Sequence, residues 1–462
     1  MTTIPHENEN DNAISKCCER FIKRFRINTL LRNSSATKEK GIPAYEVFAF
    51  ILGLVFSGKN LYTLLSTAKE KVSFGKDVVY RFLCNASINW NLFLFNLSCS
   101  VVSQVDYLTS EERKSVLIID DTPYYRDRSK NVELLSRFKD HSKNNRYYKG
   151  FELLTMGWSD GQTFMPVDFR LSANSEDKKL ICGTSVKEDH RTLATKRRQD
   201  ARKGKPELVL DMLRNVKGTP AEAKYALFDS WFSAPSAIIN IKNLGFDVVA
   251  RLKDNKTRYE FEGELLSLKK IYARSKKRRG RASWLLSVMV KVRHDDHKES
   301  VPAKIVFVRD RNNRNKCIAV ISTDISLSEE EIIELYGKRW DIEPYHKMIK
   351  SYLKLEKEFQ FRSFDAINAH IAIVLTRYIL LSLENREKKD LRSINEGFHM
   401  LCAELEDISF AQAFDLITSV IKQCCADYLH LAKEQINAFV ELFIVGLPGY
   451  IKNKLVFSMC ES

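Results

Sequence analysis

The chain has 462 residues, of which 44% are hydrophobic and 29% charged, with a formal net charge of +15. That length holds about two to four domains around a sizeable core, and the balance describes a soluble globular protein rather than a membrane-embedded one. The excess of positive charge calls for a polyanionic partner, nucleic acid ahead of an anionic membrane.

Ten cysteines are scattered along the chain, with adjacent pairs at Cys17-Cys18 and Cys424-Cys425 and no Cys-x-x-Cys. Neither a zinc knuckle nor a disulfide framework is expected, which fits a reducing, cytoplasmic compartment. The polar, acidic start (1–12) has no signal-peptide core. The longest apolar runs, 47–56 and 371–383, are too short or too interrupted (Arg377 breaks the second) to span a bilayer. No membrane segment is expected.

Residues 1–13 read as a disordered tail, and 14–110 as a helical N-terminal region. Pro43 opens an apolar helix over 44–56, a second helix covers 60–68, and Phe74-Gly75 turns into a basic helix at 76–84. This order resembles a helix-turn-helix, which would make Lys76 and Arg81 DNA-reading residues, although many three-helix segments read no DNA.

Ser115-Val-Leu-Ile-Ile-Asp-Asp-Thr122 is an apolar, β-branched run ending in two carboxylates. It predicts a strand buried on both faces with a metal-ligating acid at its end; a plain turn or helix cap is the alternative. Two more strands, 147–158 and 162–171, meet at a Ser159-Asp-Gly161 hairpin turn. A basic stretch over 174–205 precedes a helix over 206–215. Tyr225-Ala-Leu-Phe-Asp229-Ser-Trp-Phe is a second apolar run ending in an acid, followed by a helix over 234–242 and a strand over 246–252. Acids at the carboxyl ends of such parallel strands lie where ligands bind.

Residues 253–325 read as a β-rich insertion, with strands at 287–293, 303–309 and 317–322. Its 269–281 run carries eight cations and no acid, including Lys276, Lys277, Arg278 and Arg279. A loop tracking a phosphate backbone is expected there, with a nuclear-localisation-like run as the weaker alternative. From 364 to about 447 the pattern is helical again, over 366–383, 398–405 and 411–421, and is assigned to packing and self-association.

Ser328 and Glu331 form a capping box that starts a helix through Tyr336-Gly-Lys-Arg-Trp-Asp-Ile-Glu-Pro-Tyr-His-Lys-Met-Ile-Lys350. At about 100° per residue, Tyr336, Arg339, Glu343, Lys347 and Lys350 share an arc of about 80°. Pro344 removes one backbone bond and is expected to kink the preceding turn. A solvated face with pairs such as Glu343 to Lys347 is one reading. The other is a metal-ligating carboxylate beside cations that hold phosphates. His346 lies near this stripe, where a packing role is expected rather than catalysis.

The spacing Tyr336-x2-Arg339-x3-Glu343-x6-Lys350 resembles the Tyr-Arg-Glu-Lys signature of bacterial insertion-sequence transposases of the "insertion-sequence-four" family. Ile119-Asp-Asp-Thr122 and Phe228-Asp-Ser-Trp-Phe232 resemble that family's first and second acid motifs, and the likeness covers roughly 40–385. The resemblance implies a ribonuclease-H-like α/β core (111–252 and 326–385) interrupted by the β-rich insertion (253–325). Helical N-terminal and C-terminal (386–462) regions would flank it. It also implies that Asp121, Asp229 and Glu343 bind two Mg²⁺ ions, with Mn²⁺ able to substitute, and that Tyr336, Arg339 and Lys350 hold phosphates. Strand alternation sends Asp120 and Asp121 to opposite faces, so one of them ligates; Asp121 is favoured and Asp120 is the alternative. Lys347 shares the arc without belonging to the signature.

The activity so implied is metal-dependent cleavage at transposon ends and strand transfer into target DNA, by a homodimer on paired terminal inverted repeats. A ribonuclease-H-fold nuclease or resolvase, and a non-catalytic DNA-binding regulator derived from such an element, are the other readings.

Overall fold

The computed structural model describes residues 16–38, 40–67, 74–110, 113–140, 146–184, 189, 191–278, 282–294, 300–310, 317–387, 394–427, 429–449 and 451–452. The expected tail at 1–13 lies outside them.

The apolar run before the paired acids forms β1 (Val116–Tyr125), buried on both faces as its β-branched composition requires. In chain order follow β2 (Ser136–Asp140), β3 (Arg146–Ser159), β4 (Phe164–Ser172), β5 (Tyr225–Phe228) and β6 (Asp247–Arg251). The remaining strands are β7 (Arg258–Phe261), β8 (Glu264–Ser267), β9 (Leu286–Val292), β10 (Val301–Arg309) and β11 (Cys317–Ser322). All belong to one sheet in the order β2-β3-β1-β5-β6-β11-β10-β9-β7-β8, with β4 also against β3. β1, β5 and β6 are parallel, and every other pairing is antiparallel. The result is a mixed α/β protein with a large open sheet, compatible with a ribonuclease-H-like fold.

The β3–β4 turn follows the sequence closely. Asp160 accepts the amides of Gln162 and Thr163 at 2.9 and 2.8 Å, and Gly161 takes φ +87°. The register shifts between Met156 and Gly157, where a Cβ on Gly157 would stand 2.1 Å from the Phe164 ring. Close ring–backbone contact there requires glycine.

The strands at 258–322 extend the core sheet, because β11 pairs with β6. Two expectations change. The basic run 269–281 is not all loop: Leu268–Arg274 is helical, Lys269 meets Asp254 at 3.1 Å and Arg274 meets Glu264 at 3.0 Å. A single helix, Ile394–Asp427, replaces the two expected over 398–421.

The hub of the helical layer is Phe364–Glu387. By length and composition this helix could cross a membrane, but its most apolar stretch is entirely buried within the fold. Each fully buried Leu or Ile along it contributes about 1.5–3 kcal/mol. Arg377, which breaks the run in sequence, is fully buried. It donates to Glu358 at 2.8 and 3.0 Å and to the Leu52 and Ile51 carbonyls at 3.0 and 2.5 Å. It thereby satisfies the carboxyl-terminal end of the Ala44–Leu54 helix. The N-terminal helices therefore share one core with the sheet. Ser98 donates to Pro166 O at 2.7 Å and Asn91 to Phe169 O at 2.6 Å.

Candidate active site

β1 and β5 run side by side in parallel, with Ile119 opposite Phe228. Asp120 and Asp229 each follow by one residue, so two carboxylates leave adjacent strands together. Asp120 Oδ1 accepts the Asp121 amide at 2.9 Å, and Asp229 Oδ1 accepts the Trp231 amide at 2.8 Å. Burial pushes the Asp120 carboxyl up to about 7, the Asp121 and Asp229 carboxylates push the same way, and Arg339 opposes them.

The Tyr336–Lys350 stretch faces this pair. The capping box at Ser328 and Glu331 starts a helix, Glu329–Gly337. A 3₁₀ turn, Lys338–Asp341, comes next, and then a second helix, Ile342–Ser351. The kink expected from Pro344 is this 3₁₀ turn, since proline offers no N–H to the residue four before it and its ring crowds that carbonyl. Arg339, in the turn, places Nη1 3.7 Å from Asp120 Oδ2 and 3.7 Å from Glu343 Oε1. Its guanidinium carbon lies 4.6 Å from the Trp340 ring and 5.9 Å from the Tyr336 ring. The Tyr336 phenol is raised above its ordinary value by burial, against the pull of Arg339 and Arg251.

Asp121 points the other way. It binds Lys205 Nζ, which also meets Glu152 Oε2 at 2.7 Å, and all three side chains are largely shielded from solvent. The exposed Trp231 ring lies between Lys205 and Lys253, at 5.7 and 5.3 Å. A groove of about 580 Å³ opens beside this cluster, lined among others by Arg137, Lys139, Lys203, Lys205 and Trp231.

A family model described as DDE superfamily endonuclease matches residues 47–311, more than half of the chain. The chain belongs to that family. No curated protein matches it. Membership of that family implies a DNA substrate, and DDE nucleases usually use divalent metal ions. The match ends before Glu343, whose half-exposed side chain meets Arg339 at 3.7 Å.

The donor set suits such an ion. Asp120 and Asp229 offer hard carboxylate oxygens, and the Asp120 carboxyl, raised by burial first and then by the Asp121 and Asp229 carboxylates, is a charge that a cation would stabilise. Yet among the described residues no three His, Cys, Asp or Glu side chains are gathered closely enough to hold a metal. Arg339 stands between Asp120 and Glu343 instead.

The other expected DNA-binding residues are spread over this endonuclease. Lys350 donates to Pro123 O at 2.6 Å and lies 3.8 Å from Glu356, further along β1 from Asp120. Lys347 is exposed on the same helix. Lys76 and Arg81 are exposed on the Lys76–Leu83 helix, whose buried face carries Val79, Phe82 and Leu83. Lys276, Lys277 and Arg278 follow the 268–274 helix, beyond β7 and β8 at the far end of the sheet from β1. Arg278 stacks 4.1 Å from the Trp284 ring and Lys277 lies 4.8 Å from that of Tyr272. Arg279 lies outside the described residues. His346 is buried and held down to about 3 by burial and by Lys350 and Arg339, hence neutral, in keeping with packing rather than catalysis.

Sequence reasoning missed Lys205 and Glu152. Nothing in a lone lysine between Gly204 and Pro206 marks it as the partner of Asp121.

Proposed function

We propose that this DDE endonuclease is a cut-and-paste DNA transposase of the insertion-sequence-four type, with Asp120, Asp229 and Glu343 as its three acids. The observation that carries the assignment is the placing of Asp120 and Asp229 one residue beyond paired positions of adjacent parallel strands, with Arg339 between Asp120 and Glu343. Asp120 takes the place that the sequence favours for Asp121, because Asp121 is engaged by Lys205 on the opposite face. Two Mg²⁺ ions, or Mn²⁺ in their place, would supply water activation and charge stabilisation at the leaving oxygen. Asp120, Asp229 and Glu343 would hold them, while Tyr336, Arg339 and Lys350 would position phosphates at the transposon end.

The spatial order β4-β3-β1-β5-β6, with β5 and β6 parallel to β1, supports a ribonuclease-H-like core. The strands of 253–325 are then an insertion grown onto its edge. The basic groove beside Trp231 offers a path for the DNA backbone. Exposed Leu416, Ile417 and Val420 on the Ile394–Asp427 helix support self-association of a cytoplasmic homodimer.

The test uses purified protein, Mg²⁺ and a DNA fragment ending in the element's own terminal repeat. Cleavage at the end and joined target products are expected, and Asp120→Asn, Asp229→Ala and Glu343→Ala should each abolish both. Wild-type cutting by Asp229→Ala or Glu343→Ala would remove the triad. The family's description as endonuclease favours a second reading, a nuclease without strand transfer, which would yield nicks and no joined products.

A further inference from the structure

Two buried arginines in this molecule are held very differently. Arg377 is fully buried, and its guanidinium is satisfied by a bidentate contact to Glu358 and by two backbone carbonyls. Arg339 is almost as buried, at 7% exposure, yet its Nε makes no hydrogen bond. Its Nη1 stands 3.7 Å from one oxygen of Asp120 and 3.7 Å from one of Glu343. Both separations exceed the roughly 2.7–2.9 Å of a formed charge-assisted hydrogen bond. The guanidinium is held by field and by its contact to the Tyr336 hydroxyl rather than by fork geometry on a carboxylate, with the Trp340 ring as backing. Such a group leaves its position at much lower cost than Arg377 would.

We propose that Arg339 occupies, in the cation-free protein, the place of a divalent ion between Asp120 and Glu343. Ion and guanidinium exchange there: the ion reaches the carboxylates only as Arg339 turns outward onto a DNA phosphate. This rests on the reading of Asp120, Asp229 and Glu343 as the metal-binding acids. The charge balance favours exchange over coexistence, since a divalent ion and a guanidinium a few ångströms apart repel each other, most strongly on the shielded Asp120 side; the Glu343 side chain is half exposed. Metal affinity is then low without DNA and rises with it. By linkage the ion raises DNA affinity by the same factor.

The experiment is a Mn²⁺ titration of the full chain, with free Mn²⁺ read by electron paramagnetic resonance at low ionic strength and no DNA present. Arg339→Gln is expected to bind Mn²⁺ about tenfold or more tighter than wild type, the size of effect expected from removing a competing charge in a shielded site. Arg339→Lys should stay near wild type, and adding Asp229→Asn to Arg339→Gln should remove the gain. Circular dichroism verifies folding. A second arm needs no variant. Adding duplex DNA should tighten Mn²⁺ binding by the wild-type protein to a similar degree, after subtraction of ions bound by the duplex alone. Wild type that already binds as tightly as Arg339→Gln, with binding still dependent on Asp229, would overturn the exchange and leave the acid assignment standing. So would a duplex that leaves wild-type affinity unchanged. Mn²⁺ binding insensitive to Asp229→Asn in every protein, with or without DNA, would remove the acid assignment itself.

Discussion

Asp120→Asn separates stability from function in this protein. The Asp120 carboxyl ionises at about 7 in the fold against an ordinary 3.8, and its side chain is only 15% exposed, so solvent screens the penalty little. The difference is about 3 units, and at 1.36 kcal/mol each it sets a ceiling of about 4 kcal/mol for the cost of holding the carboxylate ionised without a cation. The sign follows from the raised value. Below the unfolded value both states are protonated and there is no penalty; the penalty grows as pH rises through the interval and is complete above about 7. Asparagine keeps the shape and stays neutral. The variant is therefore expected to be more stable than wild type at about pH 8, by about 1–4 kcal/mol, and to converge with it near pH 4. Mg²⁺ should stabilise wild type, because it binds only the folded form, and should leave the variant's melting temperature unchanged. Thermal melts at both pH values, with and without millimolar Mg²⁺, measure all of this. A variant less stable than wild type at pH 8, or a gain that persists unchanged at pH 4, would refute the reasoning.

The neighbouring carboxylate should behave oppositely. Asp121→Asn strips Lys205 of one of its two carboxylate partners, so a loss of about 1–3 kcal/mol is expected with the Mg²⁺ response retained, read in the same melts. Arg377→Ala leaves Glu358 buried without its main partner and should cost about 3–5 kcal/mol, measured by denaturant unfolding. Glu358 also sets an acid limit. Burial alone would raise its carboxyl, but Arg377 and His370 outweigh burial and hold it down to about 2 against 4.5. Its contribution, on the order of 3 kcal/mol, is present above pH 4.5 and is lost as pH falls from there toward 2. Glu358→Gln should flatten the melting temperature over that window. Gly157→Ala drives a methyl into the Phe164 ring and should cost about 1–3 kcal/mol; Phe164→Leu should recover part of it in the double variant.

Much of the sheet was legible because its strands are buried on both faces and read as unbroken apolar runs: Val116 to Ile119 and Tyr225 to Phe228 announce themselves, and each ends at an acid. The Ser328–Glu331 capping box was equally legible, being a local pattern that needs no tertiary partner. Strand phase was not. Alternation in β1 requires Asp120 and Asp121 to diverge, but which of them meets Asp229 depends on the register against β5, a contact 109 residues away in sequence. The extension of the core sheet by β11 was hidden for the same reason: a strand's sequence records its own burial, not which edge it will join.

The helical wheel over Tyr336–Lys350 shows how a local rule misleads by a calculable amount. A 3₁₀ turn advances about 120° per residue instead of 100°, so the four residues Lys338–Asp341 rotate the Ile342–Ser351 helix by about 80° relative to the wheel. Arg339 and Glu343 remain neighbours because they are only four residues apart across the turn, and their charges still meet at 3.7 Å. Lys350 is carried round onto Pro123 and Tyr125, away from the Asp120 side of the stripe. The turn therefore divides the stripe: Arg339 within it stands beside Asp120, while the helix after it carries Glu343, which meets Arg339, and Lys350, which anchors that helix to the far end of β1. The neutrality of His346 then has a reason: burial disfavours the charged imidazole most, and the Lys350 and Arg339 cations on the same stretch add to it.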